Sequence, residues 1–183
     1  MIHNINSFSQ ITRPKSNTLI VFDIDETILT FPIINKNWWD RTVNKLLPIY
    51  KENTQEYVEL LWNNYISNLE PILLDSINLI NFINKSVKNN CEIIFLTARD
   101  KSISKLTVNQ LLKCDFNIDP SRIFYNKNKG IELKNIVTNY FPNVKNIIFV
   151  DDLDENLVNI QSTFNCFELL KYNLDLYKIK HNI

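Results

Sequence analysis

The stretch TLIVFDIDETIL, residues 18–29, determines the fold class of this chain. Its first half is an unbroken apolar run rich in β-prone residues, and acidic residues follow where the run ends. A run without alternation of polar and apolar residues is typical of a strand covered on both faces, as in a parallel sheet. The stretch therefore predicts a buried strand that brings carboxylates to one edge of a sheet.

Similar apolar runs recur along the chain, with helical patterns between them. The further predicted strands are 92–97 (EIIFLT), 122–125 (RIFY), 146–150 (NIIFV) and a weaker one at 164–170 (FNCFELL). The predicted helices are 72–88, on the spacing of Leu73, Ile77, Ile80 and Val87, and 102–113, 130–140 and 154–162. Strands that alternate with helices of this length predict an α/β fold with a doubly wound, Rossmann-like parallel sheet.

One interval, residues 31–71, breaks this alternation. It contains two helical patterns, at 38–52 and 55–69, where the others contain one. We interpret it as a small α-helical cap, inserted after the first strand and placed over the carboxyl edge of the sheet. The predicted domains are a core of 1–30 and 72–183 and a cap of 31–71.

The composition excludes several classes of protein. The chain carries 20 basic and 20 acidic side chains, so no net charge attracts it to nucleic acid. Its only glycine, Gly130, cannot form a P-loop or a G-x-G-x-x-G fingerprint, which need two and three glycines. Both histidines, His3 and His181, lie near the chain ends, which argues against a Ser-His-Asp triad.

Cysteines and hydropathy indicate the environment of the chain. Cys91, Cys114 and Cys166 form no C-x-x-C pair, so we expect buried reduced thiols and no zinc site. No apolar stretch approaches the roughly 20 residues of a membrane span. Residues 1–16 are polar and lack the apolar region of a signal peptide. We therefore expect a cytoplasmic protein.

Polar side chains follow the predicted strands at the edge where parallel sheets bind their ligands. They are Asp23, Asp25 and Thr27 after the first strand; Thr97, Ala98 and Arg99 after 92–97; Lys129 before the helix that leads into 146–150; and Asp151 and Asp152 after that strand. Any one group could be a helix cap, a turn or a solvated surface residue. Four groups at one edge predict a functional site.

The order of these groups closely resembles the four motifs of the haloacid dehalogenase (HAD) superfamily. They read FDIDETIL (22–29), IIFLTAR (93–99), NKG (128–130) and IIFVDD (147–152), and the resemblance covers about 18–170. More narrowly, DIDETIL with Trp38-Trp39-Asp40, LTAR, NKG and FVDDLDENL resembles a little-characterised HAD-like family from intracellular bacteria. Some of its relatives are secreted effectors with phosphatase activity. Glu26 departs from the pattern, since many relatives have Gly there.

The resemblance implies a magnesium-dependent phosphatase that hydrolyses phosphate monoesters through an aspartyl-phosphate. Asp23 would be the nucleophile, and Asp25 would be the general acid and then the general base. Lys129 would neutralise charge on Asp23 and on the phosphoryl group, and Thr97 would hold phosphate oxygens.

The same resemblance implies the remaining site residues. The Mg²⁺ ligands would be Asp23, the backbone carbonyl of Asp25, Asp152, and Asp151 either directly or through water. The substrate-binding residues would be Thr27, Ala98, Arg99, Trp38 and Trp39. For Arg99 a structural salt bridge is an equal alternative, and for the two tryptophans the alternative is packing of the cap onto the core.

The implied partner is a phosphorylated substrate, either a phosphoprotein, as for a protein tyrosine phosphatase, or a small phosphoester. No nucleic acid partner is expected. A non-catalytic module that binds a phosphorylated ligand and a HAD-type phosphotransferase are the alternative functions. The resemblance to secreted effectors adds export into a host cell as an alternative to the cytoplasm. The oligomeric state stays open.

Overall fold

The computed structural model describes residues 2–164 and 168–181, and these divide between two compact units. The first unit is Met1–Ile28, Leu74–Lys101 and Asp119–Ile183, and the second is Leu29–Leu73 and Ser102–Ile118. In chain order the elements are β1 Ile2–Ile5, β2 Thr18–Phe22, β3 Leu29–Thr30, α1 Lys36–Tyr50, α2 Thr54–Asn68, β4 Ile72–Leu73, α3 Ser76–Lys88, β5 Glu92–Thr97, α4 Ser104–Lys113, β6 Ile123–Tyr125, α5 Lys129–Tyr140, β7 Asn146–Asp151, α6 Asp154–Thr163, β8 Glu168–Tyr172 and α7 Leu174–His181.

The first unit is built on a six-stranded sheet in the order β1-β8-β7-β2-β5-β6. Every neighbouring pair in this sheet is parallel. The predicted α/β fold class with a doubly wound, Rossmann-like parallel sheet is confirmed. The predicted strand at 18–24 is β2, which lies in the middle of the sheet between β7 and β5.

The unbroken apolar run of β2 follows from its burial on both faces. Successive side chains of a strand point to opposite faces. Leu19 and Val21 belong to the core cluster that includes Leu133 of α5 and Leu157 of α6. Phe22 packs edge to face on Phe82 of α3, with ring centroids 6.2 Å apart. All five residues of β2 are buried.

Because β2, β5 and β7 are parallel, their carboxyl ends meet at one edge of the sheet. Asp23 directly follows β2, Thr97 is the last residue of β5, and Asp151 is the last residue of β7. The N–H of Asp23 donates to the carbonyl of Val150 at 2.9 Å, which continues the pairing of β2 with β7. The sheet therefore fixes the backbone at the predicted site.

Two elements of the first unit were not predicted. β1, with the sequence IHNI and the burial of an edge strand, has no apolar run to reveal it. It pairs with β8 and places His3 opposite Leu170. α7 follows β8 and was also missed. The predicted strand at 164–170 is observed as Glu168–Tyr172, and residues 165–167, with Cys166, lie outside the described residues.

The helix predicted at 72–88 is α3, but its predicted apolar stripe does not face the core. Ile77, Ile80 and Val87 are exposed, whereas Leu79 and Phe82 are buried. The helix carries apolar residues on two faces, and the face with the large aromatic ring of Phe82 removes more apolar area from water when it covers the sheet.

The second unit contains the predicted insertion 31–71 together with α4. Its core is Phe31, Ile34 and Ile66, with Trp38, Trp62, Leu69, Ile103 and Leu106 packed against it. The carboxamide Nε2 of Gln110 in α4 donates to the carbonyl of Ile66 at 2.6 Å, which fastens α4 to α2. The domain assignment of a cap and a core stays a prediction.

Two sequence expectations concern the environment. None of the helices in the described part of the chain has the length and apolarity that a bilayer crossing demands. Cys91 is buried and Cys114 is partly buried, and both are free thiols.

Candidate active site

Three carboxylates meet at the carboxyl edge of the first unit's sheet. Asp23, Asp151 and Asp152 each offer an oxygen, and these three oxygens lie within 4.8 Å of one another. Asp23 and Asp151 are buried, and Asp152 is partly exposed. The sheet brings together residues that are about 130 positions apart in sequence.

Lys129 lies among these carboxylates. Its Nζ donates to Oδ1 of Asp23 at 2.5 Å and to Oδ2 of Asp151 at 2.7 Å. Lys129 is the first residue of α5, and the side chain of Asn128 caps that helix by accepting from the N–H of Ile131. Only 1% of Lys129 is exposed, so the alternative of a solvated surface lysine is wrong.

Burial is the main cause of the shifted pKa values of the carboxylates in this cluster. Burial raises the pKa of Asp23 to about 7; Lys129 opposes this shift, and Asp151 adds to it. Burial also raises the pKa of Asp152, with further contributions from Asp151 and Asp23. Burial alone would lower the pKa of Lys129, but Asp151 and Asp23 outweigh it and raise that pKa.

The chemistry of this donor set fits a divalent cation. Three carboxylates and one ammonium leave two net negative charges when all are ionised. The candidate ligand atoms are carboxylate oxygens, the donors that Mg²⁺ prefers. Asp23, Asp151 and Asp152 are the residues that could hold such an ion.

The carboxylate oxygens of Asp151 already accept hydrogen bonds from several protein groups. Besides Lys129, its oxygens accept from the N–H of Leu153 at 2.9 Å. The carboxamide of Asn156 donates to both oxygens, at 3.0 and 3.1 Å. Asn156 was missed from the sequence, since one asparagine in an asparagine-rich chain carries no signal.

Gly130 is a further residue whose role the sequence did not reveal. Its N–H donates to Oδ1 of Asn159 in α6 at 2.6 Å. A Cβ at Gly130 would lie 2.5 Å from that same oxygen and 2.6 Å from Oγ1 of Thr163. It would also lie 2.9 Å from the backbone carbonyl oxygen of Asn159, which cannot rotate away as a side chain can, so the approach of α5 to α6 directly after Lys129 favours glycine. The signal available was that this is the chain's one glycine.

The turn after Asp23 places Thr27 close to the carboxylate of Asp23 and contains Glu26. Oγ1 of Thr27 donates to Oδ2 of Asp23 at 3.4 Å. Thr27 thus contacts Asp23, and its predicted contact with substrate stays a prediction. Glu26 has a φ of 59°, in the left-handed region that favours glycine. This backbone conformation explains why a glycine suits position 26 in resembling sequences.

Asp25 and Arg99 form a bidentate ion pair. Nε of Arg99 donates to Oδ2 of Asp25, and Nη2 donates to Oδ1, both at 2.7 Å. The N–H of Arg99 donates to Oγ1 of Thr97 at 3.2 Å. Burial would lower the pKa of Arg99, but Asp25 and then Asp23 raise it. Ala98, between Thr97 and Arg99, is exposed.

Trp38 and Trp39, the remaining predicted site residues, belong to the second unit. The ring of Trp38 lies 5.8 Å from Trp62 and 5.4 Å from Tyr65, and that of Trp39 lies 5.8 Å from Trp62. These contacts make both tryptophans part of the packing between α1 and α2. Their predicted contact with substrate stays a prediction.

Comparison with solved structures found alignments with two kinds of enzyme. An archaeal β-phosphoglucomutase from the hyperthermophilic Pyrococcus sp. strain ST 04 aligns with a TM-score of 0.54 at 14% identity, over 85% of this chain and 86% of that one. Two structures of the class C acid phosphatase from Bacillus anthracis, the second with tungstate bound, align over 92% of this chain and 71% and 79% of theirs. Their identities are 16% and 18%, and their TM-scores are 0.49 and 0.48. The first likeness shows that the fold is shared.

Comparison of the sequence itself identifies the family. A search of curated proteins found no match. One family model, described as "Protein of unknown function (DUF2608)", matches residues 1–127. Since that match spans well over half of the chain, the protein belongs to the DUF2608 family.

Proposed function

We propose that this protein is a phosphatase that hydrolyses phosphate monoesters through an aspartyl-phosphate on Asp23. The observation that carries the proposal is the Asp23 carboxylate, buried at the carboxyl edge of the sheet and held by Lys129 beside Asp151 and Asp152. The shared fold adds support, because one solved structure with this fold is a β-phosphoglucomutase.

The first step forms the covalent intermediate. A carboxylate oxygen of Asp23 attacks phosphorus, and the bond from phosphorus to the ester oxygen breaks. Asp25, whose carboxylate is paired with Arg99 in the free protein, first takes up a proton and then gives it to the departing oxygen. The products of this step are an alcohol, the aspartyl-phosphate and the Asp25 carboxylate.

The second step releases phosphate. A water molecule gives a proton to the Asp25 carboxylate as its oxygen attacks phosphorus, and the bond from phosphorus to Asp23 breaks. Inorganic phosphate leaves, Asp23 is again a carboxylate, and Asp25 again carries a proton. Covalent catalysis of this kind divides a very slow hydrolysis into two faster steps.

Lys129 and Thr97 would stabilise charge on the phosphoryl group. The ammonium of Lys129 already contacts Asp23, so it lies beside the position where the phosphoryl oxygens arrive. Thr97 ends β5 and is buried, and its hydroxyl can donate to a phosphate oxygen. Fixed donors at such a position stabilise the developing charge without reorganisation.

Asp23, Asp152, the backbone carbonyl of Asp25 and Asp151 would hold Mg²⁺. We favour Asp152 as a direct ligand over Asp151, because Asp151 already accepts from Lys129, Leu153 and Asn156. When bound, Mg²⁺ would offset the repulsion between the carboxylates and a phosphate dianion and orient that phosphate.

Two finer parts of the proposal concern the role of the segment 31–71 and the class of substrate. The segment 31–71 would act as a cap that excludes water and selects the substrate. Proteins that carry phosphotyrosine and small phosphoesters are the proposed substrate classes, and a panel of phosphopeptides and phosphometabolites would separate them.

Transfer of phosphate to added alcohols or sugars faster than to water would favour a phosphotransferase.

The direct test is turnover of p-nitrophenyl phosphate with Mg²⁺, in EDTA, and after Asp23→Asn. We expect turnover with Mg²⁺ and its loss in the other two conditions. Asp154→Asn is the matched control, because Asp154 is an exposed partner of Lys171 outside the site. Turnover by Asp23→Asn equal to that of the wild type would exclude Asp23 as the nucleophile. Tight binding of beryllofluoride without turnover of any phosphoester would favour a non-catalytic binding module.

A further inference from the structure

The ion pair between Asp25 and Arg99 differs in kind from the two contacts that Lys129 makes. Nε and Nη2 of the guanidinium approach the two oxygens of the carboxylate, each at 2.7 Å, in a side-by-side fork. Such a fork fixes the plane and the rotation of a carboxylate as well as its position. Lys129, by contrast, is a single charge that contacts two separate carboxylates.

Burial makes this fork rigid. The side chain of Arg99 is 2% exposed, and that of Asp25 is 21% exposed. A buried guanidinium needs its carboxylate, since an unpaired charge in that position is strongly unfavourable. The backbone of Arg99 is also held, because its N–H donates to Oγ1 of Thr97. The partly exposed Asp25 is therefore oriented by a residue that has little freedom itself.

We propose that Arg99 is a positioning residue that acts through Asp25. The inference rests on the proposed function, in which Asp25 passes its proton to the ester oxygen as the bond from that oxygen to phosphorus breaks. An acid must lie within about 3 Å of the atom that it protonates. Arg99 holds the Asp25 carboxyl group in one orientation, so that this distance is met when substrate binds.

This role makes Arg99 distinct from the groups that hold phosphate. A residue that binds the phosphoryl group affects the affinity for inorganic phosphate, and its effect persists when Asp25 is replaced. A residue that acts through Asp25 affects the rate and has no effect once Asp25 is gone. A double-mutant cycle separates the two, because it measures the coupling between two positions.

The experiment uses the full chain with Mg²⁺ and phenyl phosphate, whose more basic leaving oxygen needs the proton that Asp25 gives. Asp25→Asn, Arg99→Gln and the double variant are compared with the wild type. We expect Arg99→Gln to lower kcat about 100-fold, the size of effect that a misplacement of about 1 Å causes. The inhibition constant of inorganic phosphate should stay within about twofold. In the Asp25→Asn background, Arg99→Gln should cause no further loss.

Two further variants complete the design. Arg99→Lys keeps the charge but offers one point contact instead of a fork, so it should recover part of the lost rate. Arg122→Gln is the matched control, because Arg122 forms an exposed ion pair with Glu92 and should leave kcat unchanged. Melting temperatures show whether each variant is folded. If Asp25→Asn leaves the buried Arg99 too unstable to fold, kcat and phosphate affinity in Arg99→Gln and Arg99→Lys decide the question.

Each outcome has one meaning. A phosphate inhibition constant raised tenfold or more by Arg99→Gln, or an equal loss of rate in both backgrounds, overturns the positioning role and assigns Arg99 to phosphate binding. Unchanged kcat in Arg99→Gln overturns any role in the reaction. If the wild type hydrolyses no phosphoester, or if Asp23→Asn remains fully active, the proposed function fails and the Arg99 role fails with it.

Discussion

Two buried aspartates of the first unit, Asp23 and Asp75, are almost equally hidden from solvent, with 5% and 7% exposure. Their surroundings differ. Asp75 accepts hydrogen bonds from neutral groups: Oγ of Ser7 at 2.7 Å, the N–H of Phe8 at 2.8 Å and Nδ2 of Asn78 at 2.7 Å. Asp23 lies beside two other carboxylates and shares one ammonium with Asp151.

The contrast indicates two uses of a buried negative charge. The donors around Asp75 satisfy its oxygens and join the segment after β1 to the start of α3, which is a structural role. The cluster around Asp23 retains excess negative charge. Burial raises the pKa of Asp23 to about 7, against the opposing effect of Lys129, and Asp151 adds to the shift. Strongly shifted titratable groups gather at functional sites, because an arrangement that is unfavourable alone is completed by a ligand.

The largest expected effect is on the free energy of unfolding, when asparagine replaces Asp75 in one variant and Asp23 in another. Asp75→Asn replaces a charged acceptor by a group that presents an N–H₂ to other donors, and it should lower the free energy of unfolding by about 3 kcal/mol. Asparagine tolerates the left-handed φ of 45° at this position, so backbone strain does not contribute. Asp23→Asn should raise the free energy of unfolding by about 1 kcal/mol in EDTA, because it removes a charge that burial disfavours.

Urea unfolding at about pH 8 in EDTA measures both changes. Equal destabilisation by the two variants would remove the distinction between a satisfied aspartate and an under-neutralised one. A smaller loss in Asp75→Asn would still support the distinction, provided that this variant lowers the free energy of unfolding and Asp23→Asn raises it.

The next effect is the dependence of Mg²⁺ stabilisation on pH. The pKa values of Asp23 and Asp152 are raised in the folded state, Asp23 from 3.8 to about 7. The stability that these protonated groups contribute is complete below the ordinary value and is lost as pH rises through the folded value. Mg²⁺ competes with those protons, so its stabilisation should be greater at about pH 8 than at about pH 5.5.

Melting temperatures with and without Mg²⁺ at the two pH values test this dependence. At a Mg²⁺ concentration 100 times the dissociation constant, the gain at about pH 8 should be about 2.7 kcal/mol. A gain that is equal at both pH values, or larger at the lower one, would contradict the competition of metal with protons on these carboxylates. Asp152→Asn should reduce the gain, and Asp75→Asn should leave it unchanged.

Close packing beside Lys129 gives a third prediction. Gly130→Ala would place a Cβ against Asn159 and Thr163, so α5 must shift, and the free energy of unfolding should fall by about 2 kcal/mol. The shift would also move Lys129 and lower kcat. Asn135→Ala, at an exposed position of the same helix, is the control and should be neutral or slightly stabilising. Wild-type stability in Gly130→Ala would show that the approach of α5 to α6 tolerates a methyl group.

The smallest expected effect is at Asn156. Its carboxamide orients both oxygens of Asp151, and loss of a group that orients a metal-site residue lowers metal affinity about 10-fold or more. Asn156→Ala should therefore raise the Mg²⁺ concentration needed for half-maximal turnover about 10-fold, with Asn135→Ala as the control. No change in that concentration would mean that Leu153 and Lys129 suffice to orient Asp151.

The sequence predicted the sheet because its central strands are buried on both faces and therefore read as unbroken apolar runs. β2, β5 and β7 are of this kind, and their parallel arrangement brings their carboxyl ends together without further information. β1 was missed because an edge strand with the sequence IHNI has no such run. The buried face of α3 was missed because a helix with two apolar faces does not reveal which one covers the sheet.

Within the site, the sequence predicted charged residues at two strand ends, Asp23 and Asp151, and at a helix start, Lys129. It could not predict which charges would pair, because pairing depends on side-chain directions across separate strands. The fork between Arg99 and Asp25 is of that kind. Asn156 and the packing at Gly130 depend on the approach of helices, which no local pattern records.

The most direct test of the account is a crystal structure of the protein with Mn²⁺, located by its anomalous scattering. We expect a peak at about 2.1 Å from carboxylate oxygens of Asp23 and Asp152, beside Lys129. Two results would contradict the claim that the carboxylates around Asp23 hold a divalent cation. One is no anomalous peak at this cluster at millimolar Mn²⁺, and the other is a peak bound only by carboxylates elsewhere on the protein.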